Sequence, residues 1–208
     1  MADEITWSGG KLVHGKVKDK VNSKIEKGAL PAVHALVLHQ TGGATAESSL
    51  SSYDSGSNGA HFLIDKDGTI YQTARVDQKC WHIGAIRSRC QEMKACTKDE
   101  LEMINKILFK KGESYSVRIN QLHRYESGKT YPNRYPTNED SLGIEIVGSF
   151  DAKGQSYENV TNDQNASLAW LIQALETKLS LSDDDVYRHP AIGYKQPSEA
   201  STAQWKKP

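Results

Sequence analysis

The sequence predicts an α/β fold in which helices pack on a mostly buried sheet. Strand-like apolar runs alternate along the chain with segments that have helical periodicity and capping residues. The length of 208 residues and the hydrophobic share of 37% are sufficient for one globular domain with a sizeable core. We therefore expect residues 1–208 to form a single domain.

The first buried strand and the first helix are predicted in the first third of the chain. Residues 33–39 form an almost continuous apolar run that ends near a Gly-Gly pair, which favours a strand buried on both faces. Residues 45–55 are consistent with a helix that begins at Thr45. Before the strand, residues 11–28 are rich in Lys and Val and indicate a short surface helix or loop.

A hairpin and a second strand follow. Residues 61–65 and 69–73 contain β-branched and aromatic residues, and an Asp-Gly turn lies between them, which is typical of a hairpin. Residues 142–147 alternate in polarity, so Glu145 is expected on the face opposite to that of its isoleucine neighbours.

Two further helices are predicted from capping boxes. Thr97 and Glu100 form the first, and the apolar periodicity after them ends before Gly112. Thr161 and Gln164 form the second, which begins a helix with an apolar stripe. The stripe consists of Leu168, Leu171, Ile172, Leu175 and Leu179.

Charge and hydropathy exclude several classes of protein. Lys and Arg number 26, as do Asp and Glu, and this balance argues against a general nucleic-acid-binding protein. No stretch approaches the roughly 18 consecutive apolar residues that a membrane span requires. The first residues include two acids and no apolar run, so we expect no secretory signal peptide and synthesis in the cytoplasm.

The three cysteines leave two alternatives open. There is no Cys-x-x-Cys motif, so neither a zinc ribbon nor a thioredoxin-type redox pair is indicated. Cys90 and Cys96 enclose a short loop and are able to form a disulfide in an oxidising compartment. Three unpaired thiols in a reducing cytoplasm, with Cys80 as the third, are the alternative.

Two histidines and one glutamate are candidates for chemistry. His39 ends the buried strand, where a sheet edge usually opens to a cleft, whereas His34 points to the opposite face of that strand. His189 is predicted in a loop after an acidic turn. Glu145 lies inside an apolar strand, where a charge is costly unless it is paired or used.

Four sequence blocks, in order, resemble the zinc-dependent N-acetylmuramoyl-L-alanine amidases, a family that shares the peptidoglycan-recognition fold. The blocks are residues 37–43, VLHQTGG; 59–72, GAHFLIDKDGTIYQ; 81–84, WHIG; and 141–146, SLGIEI. The resemblance implies a mixed central sheet of roughly five or six strands, packed with helices, and one zinc ion per chain in a groove at the sheet edge. Residues 1–30 are then an N-terminal extension, and residues 86–140 are an insert that the family core does not need.

The resemblance also implies roles for individual residues. His39 and His189 match the two ligand histidines of the family. Glu145 matches the acid that orients and deprotonates the zinc-bound water in the bacterial recycling branch. Ala60 stands where phage and animal members carry a tyrosine, so the sequence follows the glutamate branch.

The third zinc ligand departs from the family pattern. Family members place an aspartate or cysteine two residues after a lysine, but Pro197 stands at that spacing from Lys195. We predict that Glu199, which follows His189 at the spacing used by the recycling branch, is the third ligand. A two-histidine site completed by water is the alternative. Lys195 is expected either to stabilise the tetrahedral oxyanion or to be a surface lysine.

Substrate contacts are predicted for the family's Trp-His-x-Gly segment. Trp81 and His82 are expected to line the substrate groove, with core packing of Trp81 as the alternative. His61 is expected to be structural because it lies in the hairpin. The mildly basic insert at 86–140 is either a tyrosine-bearing flap over a glycan–peptide strand or a packing element without substrate contact.

These assignments imply zinc-dependent hydrolysis of the amide between the lactyl group of N-acetylmuramic acid and L-alanine. Two imidazoles and one anion bind Zn²⁺ tetrahedrally and leave a water whose pKa is lowered to about 7. Hydrolysis of this unactivated amide also requires a group that transfers protons and a positive donor for the oxyanion. A non-catalytic peptidoglycan-binding module is the alternative, because many animal relatives lose a ligand and only bind.

The sequence leaves three roles open: cytoplasmic recycling of muropeptides, phage lysis, and non-classical export as an antibacterial effector. The insert favours action on the intact wall in the periplasm, and a Cys90–Cys96 bridge, as one of the two cysteine alternatives, would favour it too. The expected partners are peptidoglycan or a muropeptide as substrate and, for an effector, an immunity or inhibitor protein.

Overall fold

The computed structural model describes residues 4–56 and 58–206, in which strands and helices intermix as the sequence predicts. The chain forms two compact units. The first comprises Met1–His82, Asn138–Ala191 and Lys195–Pro208, and the second comprises Ile83–Thr137 and Ile192–Tyr194. Among the described residues, no helix combines the length and apolar character needed to cross a membrane.

The elements are numbered in chain order. The strands are β1 (Thr6–Ser8), β2 (Lys11–Val13), β3 (Val17–Asp19), β4 (Glu26–Ala29), β5 (Ala35–Gly42), β6 (Phe62–Ile64), β7 (Ile70–Gln72), β8 (Gln78–Cys80), β9 (Ser141–Asp151), β10 (Ser156–Tyr157) and β11 (Val186–Arg188). The helices are α1 (Ala46–Tyr53), α2 (Arg89–Glu92), α3 (Lys98–Leu108), α4 (Tyr115–Ser127), α5 (Asn162–Leu179) and α6 (His189–Ile192), with a short 3-10 helix at Asp183–Asp185.

Within the described residues, the main sheet is mixed and has seven strands, against the roughly five or six that the resemblance implies. Its order is β11-β5-β9-β6-β7-β3, and β10 pairs with β9 beside this path. Strand β5 runs parallel to both of its neighbours, whereas β6 and β7 form the predicted antiparallel hairpin. Two antiparallel pairs, β1–β2 and β4–β8, lie outside this sheet.

The predicted helix starts are confirmed by their caps. Thr45 accepts a hydrogen bond from the backbone of Ser48 at the start of α1. Capping boxes begin α3, at Thr97 and Glu100, and α5, at Thr161 and Gln164. Each cap satisfies backbone N–H groups that would otherwise lack a partner in the first helical turn.

Two sequence predictions are wrong. Residues 11–28 are not a helix or loop, because strands β2, β3 and β4 begin in this segment. Each strand is short, and β3 is held by parallel pairing with β7, a distant partner that local sequence does not indicate. His189 is not in a loop either: it follows β11 directly and begins α6.

The core determines which sheet face carries the site. Leu36 and Leu38 of β5 and Ile144 and Ile146 of β9 belong to one buried cluster together with the apolar stripe of α5. Side chains alternate between the two faces of a strand. The intervening residues of β5 and β9 therefore project from the face that does not pack on α5.

The second unit contains helices α2, α3 and α4. Cys90 and Cys96 form a disulfide there, whereas Cys80 of the first unit is a buried free cysteine. The ammonium of Lys129 lies 3.0 Å from a carboxylate oxygen of both Glu100 and Glu126, so it connects α3 to α4. Helix α4, which is not among the helices predicted from sequence, begins at a Ser114 cap.

Candidate metal centre

Strand register brings the predicted chemical residues together on adjacent parallel strands. His39 of β5 is the direct ladder partner of Glu145 of β9. On the other side of β5, Arg188 pairs with Leu38, so His189 follows next to His39. His39 and Glu145 share the sheet face opposite to α5 because they alternate with the residues that pack on that helix.

Three donor atoms converge beside these strands. Nδ1 of His39 lies 2.9 Å from Nδ1 of His189, which lies 3.2 Å from Oε1 of Glu199. Oε1 of Glu199 is 3.5 Å from Nδ1 of His39. Ligands about 2.1 Å from a tetrahedral zinc ion lie about 3.4 Å from one another. The buried group of His39, His189 and Glu199 therefore has the spacing and the donor atoms to hold such an ion.

The surroundings of His39 and Glu199 favour the protonation states in which these two side chains bind a cation. Burial, and the proximity of His189, lower the pKa of His39 to about 4, so its imidazole is neutral at pH 7. Burial disfavours the charge of Glu199, but hydrogen bonds with His189 and His39 lower its pKa to about 2. A neutral imidazole and a carboxylate are the states in which these side chains bind metal.

Glu145 is close to the donor group, and its pKa is unusually high for a carboxyl group. Burial, together with the negative charge of Glu199, raises the pKa of Glu145 to about 8, and Lys195 acts in the opposite direction. Within the described part of the chain, its Oε2 is buried without a hydrogen-bond partner. Glu145 is therefore a carboxyl group that can both hold and release a proton near neutral pH.

His82 lies behind His39, on the side away from the other donor atoms. Nδ1 of His82 is 2.9 Å from Nε2 of His39, and Nε2 of His82 is 3.4 Å from the carbonyl oxygen of Ser141. The ring lies over Gly143, where an added Cβ would come within 2.7 Å of it. Only glycine at position 143 leaves room for this imidazole.

The remaining predicted site residues lie at or near the surface. Lys195 is exposed, and its charge acts on Glu145 and His39 through space. The Trp81 side chain is 50% exposed, and the ammonium of Lys27 lies 5.1 Å from its ring centre. An exposed indole ring is available for stacking, so the core-packing alternative for Trp81 does not apply.

The structural role predicted for His61 fits its surroundings. Its side chain is fully buried, and Nε2 lies 2.8 Å from the carbonyl oxygen of Gln78. Nδ1 accepts a hydrogen bond from the backbone N–H of Gly143 at 3.0 Å. Both ring nitrogens of His61 are thus used to connect strands.

Two residues that the sequence analysis missed are close to the site. The buried side chain of Gln40 contacts the segment that carries Glu199. The buried Tyr53 of α1 lies near Glu145: burial raises the pKa of its hydroxyl, and the charge of Glu145 adds to this effect. Neither has a local signature, because a glutamine after an apolar run and a tyrosine at a helix end are ordinary residues at such positions.

The family is decided by sequence comparison. Residues 29–204 match the N-acetylmuramoyl-L-alanine amidase family. The chain belongs to this family. It is therefore an N-acetylmuramoyl-L-alanine amidase, as the four sequence blocks predict. No curated protein matches the amidase in sequence.

Solved structures share the fold of this amidase. A selenomethionine derivative of AmpD is 18% identical, with 97% of this chain and 96% of that chain covered and a TM-score of 0.60. The endolysin amidase LysCS from Clostridium intestinale URNW is 17% identical, with coverage of 91% and 90% and a TM-score of 0.51. A mutant endolysin from Bacillus subtilis is 19% identical, with coverage of 87% and 88% and a TM-score of 0.50. These matches confirm the predicted amidase fold.

Proposed function

We propose that this amidase cleaves the bond between the lactyl group of N-acetylmuramic acid and L-alanine in peptidoglycan, with one zinc ion held by His39, His189 and Glu199. The observation that supports the proposal best is the convergence of three buried donor atoms within 3.5 Å of one another. Glu145, the ladder partner of His39, is proposed as the group that transfers protons.

The chain's own residues provide the rest of the chemistry. A zinc ion in this group would act as a Lewis acid toward the amide carbonyl and lower the pKa of an incoming water. The carboxylate form of Glu145 accepts a proton from the attacking water. The resulting carboxylic acid then donates it to the departing amine of L-alanine, which completes the exchange without another residue.

Lys195 is proposed to stabilise the negative charge that develops on the carbonyl oxygen. Its positive charge already acts on Glu145 and His39, and its exposure leaves the ammonium available to a substrate. A positive donor near a developing oxyanion lowers the barrier to amide hydrolysis. Trp81, which is half exposed, is proposed to stack on the substrate.

The substrate assignment is tested by digestion of purified sacculi and of soluble muropeptides, followed by mass analysis of the products. Amidase activity releases stem peptides with a free L-alanine amino terminus and leaves the glycan chains uncut. The Glu145→Gln variant is the matched control, because it keeps the size of the side chain and removes the base. Cleavage within the glycan, or equal product from the control, would contradict the proposal.

We further propose that the amidase attacks the intact cell wall outside the cytoplasmic membrane, as a cell-wall-degrading antibacterial effector or lysin. The disulfide between Cys90 and Cys96 supports this site of action, because structural disulfides persist in oxidising compartments and are rare in the cytoplasm. An exported effector of this kind requires an immunity or inhibitor protein in the cell that produces it. Cytoplasmic recycling of soluble muropeptides is the alternative role.

Expression in a Gram-negative host, with and without an added export signal, distinguishes the two roles. Lysis that requires both export and Glu145 supports attack on the intact wall. Normal growth with folded, exported, active protein would favour the recycling role. The exported Glu145→Gln variant shows whether any lysis comes from cleavage or from the burden of export.

A further inference from the structure

Gln40 follows His39 in β5 and contacts the segment that carries Glu199. Its side chain is 4% exposed. The Oε1 atom accepts a hydrogen bond from the backbone N–H of Ala200 at 3.1 Å, and Nε2 donates to the carbonyl oxygen of Glu158 at 2.7 Å. Gln40, which follows the donor His39, is thus hydrogen-bonded to Ala200, which follows the donor Glu199.

Arg188 precedes His189 and contacts the same segment from β11. Its Nε donates to the carbonyl oxygen of Ala200 at 3.0 Å, and its Nη2 donates to that of Ala203 at 2.7 Å. The guanidinium also lies 4.8 Å from the ring centre of Trp205. Two side chains, each adjacent in sequence to a donor histidine, therefore hold both polar groups of Ala200.

The backbone of Ala200 requires such support. Its φ angle is +51°, in the left-handed region that residues with a Cβ rarely adopt, and its side chain is fully buried. A strained conformation persists only where the surrounding contacts determine it. The conformation at Ala200 sets the direction of the chain next to Glu199, so it also sets where the Glu199 carboxylate lies.

We infer that Gln40 and Arg188 are positioning residues that hold Glu199 ready as the third metal ligand. The inference rests on the proposed metal site and assigns to this chain a means of placing a carboxylate that does not follow Lys195 at the family's two-residue spacing. Glu199 completes the three-atom group only if its Oε1 stays near both histidines. Loss of the Gln40 contact would leave the Ala200 N–H without this partner, and loss of the Arg188 contact would leave its carbonyl oxygen with the N–H of Ala203 alone. We expect either loss to let the backbone relax and move the Glu199 oxygen.

Gly148 of β9 provides a second way to disturb the contact between Gln40 and Ala200. A Cβ added at Gly148 would overlap the Gln40 side-chain amide, so only glycine leaves space for it. The Gly148→Ala substitution is therefore expected to displace Gln40 without removing its hydrogen-bonding groups.

The main test compares the zinc affinity of Gln40→Met with that of Gln164→Met, measured by competition with a chromophoric chelator. Gln164 is an equally buried glutamine whose Nε2 donates to the carbonyl oxygens of Val147 and Ile64. Substitution of a residue that orients a metal ligand typically lowers affinity about 10–100-fold. We expect this loss for Gln40→Met and Gly148→Ala and unchanged affinity for Gln164→Met. Equal losses in both glutamine variants, or none in Gln40→Met, would overturn the inference.

Hydrogen exchange in chelator-treated protein gives a readout that does not depend on zinc. The Ala200 amide should be protected in the wild type and should exchange faster in Gln40→Met and in Arg188→Lys, which keeps the charge but not the forked geometry. Fast exchange of this amide in the folded wild type would overturn the inference even if a variant fails to fold. A wild type that protects the amide but binds no zinc would instead contradict the proposed function.

Discussion

Nε2 of His39 lies 2.9 Å from Nδ1 of His82, at the end of the imidazole that faces away from His189. If Nδ1 of His39 is a metal ligand, its Nε2 carries the proton and donates to Nδ1 of His82. Nε2 of His82 then carries a proton directed at the carbonyl oxygen of Ser141, 3.4 Å away. This chain fixes the tautomer and the ring orientation of a ligand, as partners of metal-bound histidines commonly do.

Substitution of His82 by Phe should therefore weaken zinc binding by about 10–100-fold while the fold is kept. The phenyl ring fills the space over Gly143 but accepts no hydrogen bond from His39. Isothermal titration of chelator-treated protein with zinc measures the effect. The half-buried His123 of the second unit is a matched control, and His123→Phe should bind zinc like the wild type. Equal affinity in the two variants would show that His82 does not orient His39.

Substitution of each of the three donor side chains in turn should distinguish metal ligands from residues that only lie near the metal group. His39→Ala and His189→Ala are expected to lose zinc and activity together, and Glu199→Ala should bind zinc more weakly. Lys195→Ala should keep zinc and lose turnover, because its charge acts on the oxyanion and not on the metal. Metal content and amide cleavage are measured on the same preparations. Full activity in metal-free wild type would exclude the metal mechanism altogether.

The proton-transfer role of Glu145 predicts a separation of binding from turnover. Glu145→Gln should retain about one zinc per chain and lower turnover by about 10²–10⁴-fold, the usual effect of a positioned acid–base group. Zinc content by atomic emission and cleavage of a muropeptide provide the two measurements. Loss of zinc from this variant would make Glu145 a ligand and would reassign Glu199.

Glu145 should also make the metal-free protein less stable as the pH rises. Its pKa is raised to about 8 from an ordinary 4.5, mainly by burial, so between these values the folded chain holds a proton that the unfolded chain has lost. Stability must therefore fall as pH rises through this window. Urea unfolding at pH 5 and pH 8 with a chelator present should show Glu145→Gln gaining stability relative to the wild type. A constant difference at both pH values would contradict the raised pKa.

The cysteines predict a simple pattern of thiol reactivity. Unreduced protein should show one titratable thiol in denaturant and almost none when folded, because Cys80 is buried and its pKa is raised to about 12 by that burial. A Cys90→Ser/Cys96→Ser variant should lose about 2 kcal/mol of stability, the entropic effect of a short closed loop. Three thiols in denatured, unreduced protein would show that the bridge does not form.

Elements with their own local signals are predicted correctly from sequence. Helix α5 begins at a capping box in which the side chains of Thr161 and Gln164 each accept a hydrogen bond from the backbone N–H of the other residue. The two residues are three positions apart, so a short stretch of sequence is enough to recognise the pair. His39 and Glu145 can also be selected as candidates from sequence, because each is a polar residue in a buried apolar strand. Such positions are costly and therefore informative.

Features that depend on distant partners are not predicted. Strand β3 consists of three residues, and its place in the sheet comes from parallel pairing with β7. The partner of Gln40 is Ala200, 160 residues away, and no spacing rule connects them. Local periodicity contains no information about either contact, because both follow from the order of strands in the finished sheet.

The separation of His39 from His189 by 150 residues has a consequence for the synthesis of this amidase. His39 is synthesised 150 residues before His189, and Glu199 follows a further 10 residues later. Because the three donor atoms meet only when β11 pairs with β5, a chain that ends before Glu199 lacks part of the candidate metal group. If zinc binds as proposed, its uptake depends on the pairing of β11 with β5, and a chain truncated before β11 would keep only one of the three proposed ligands.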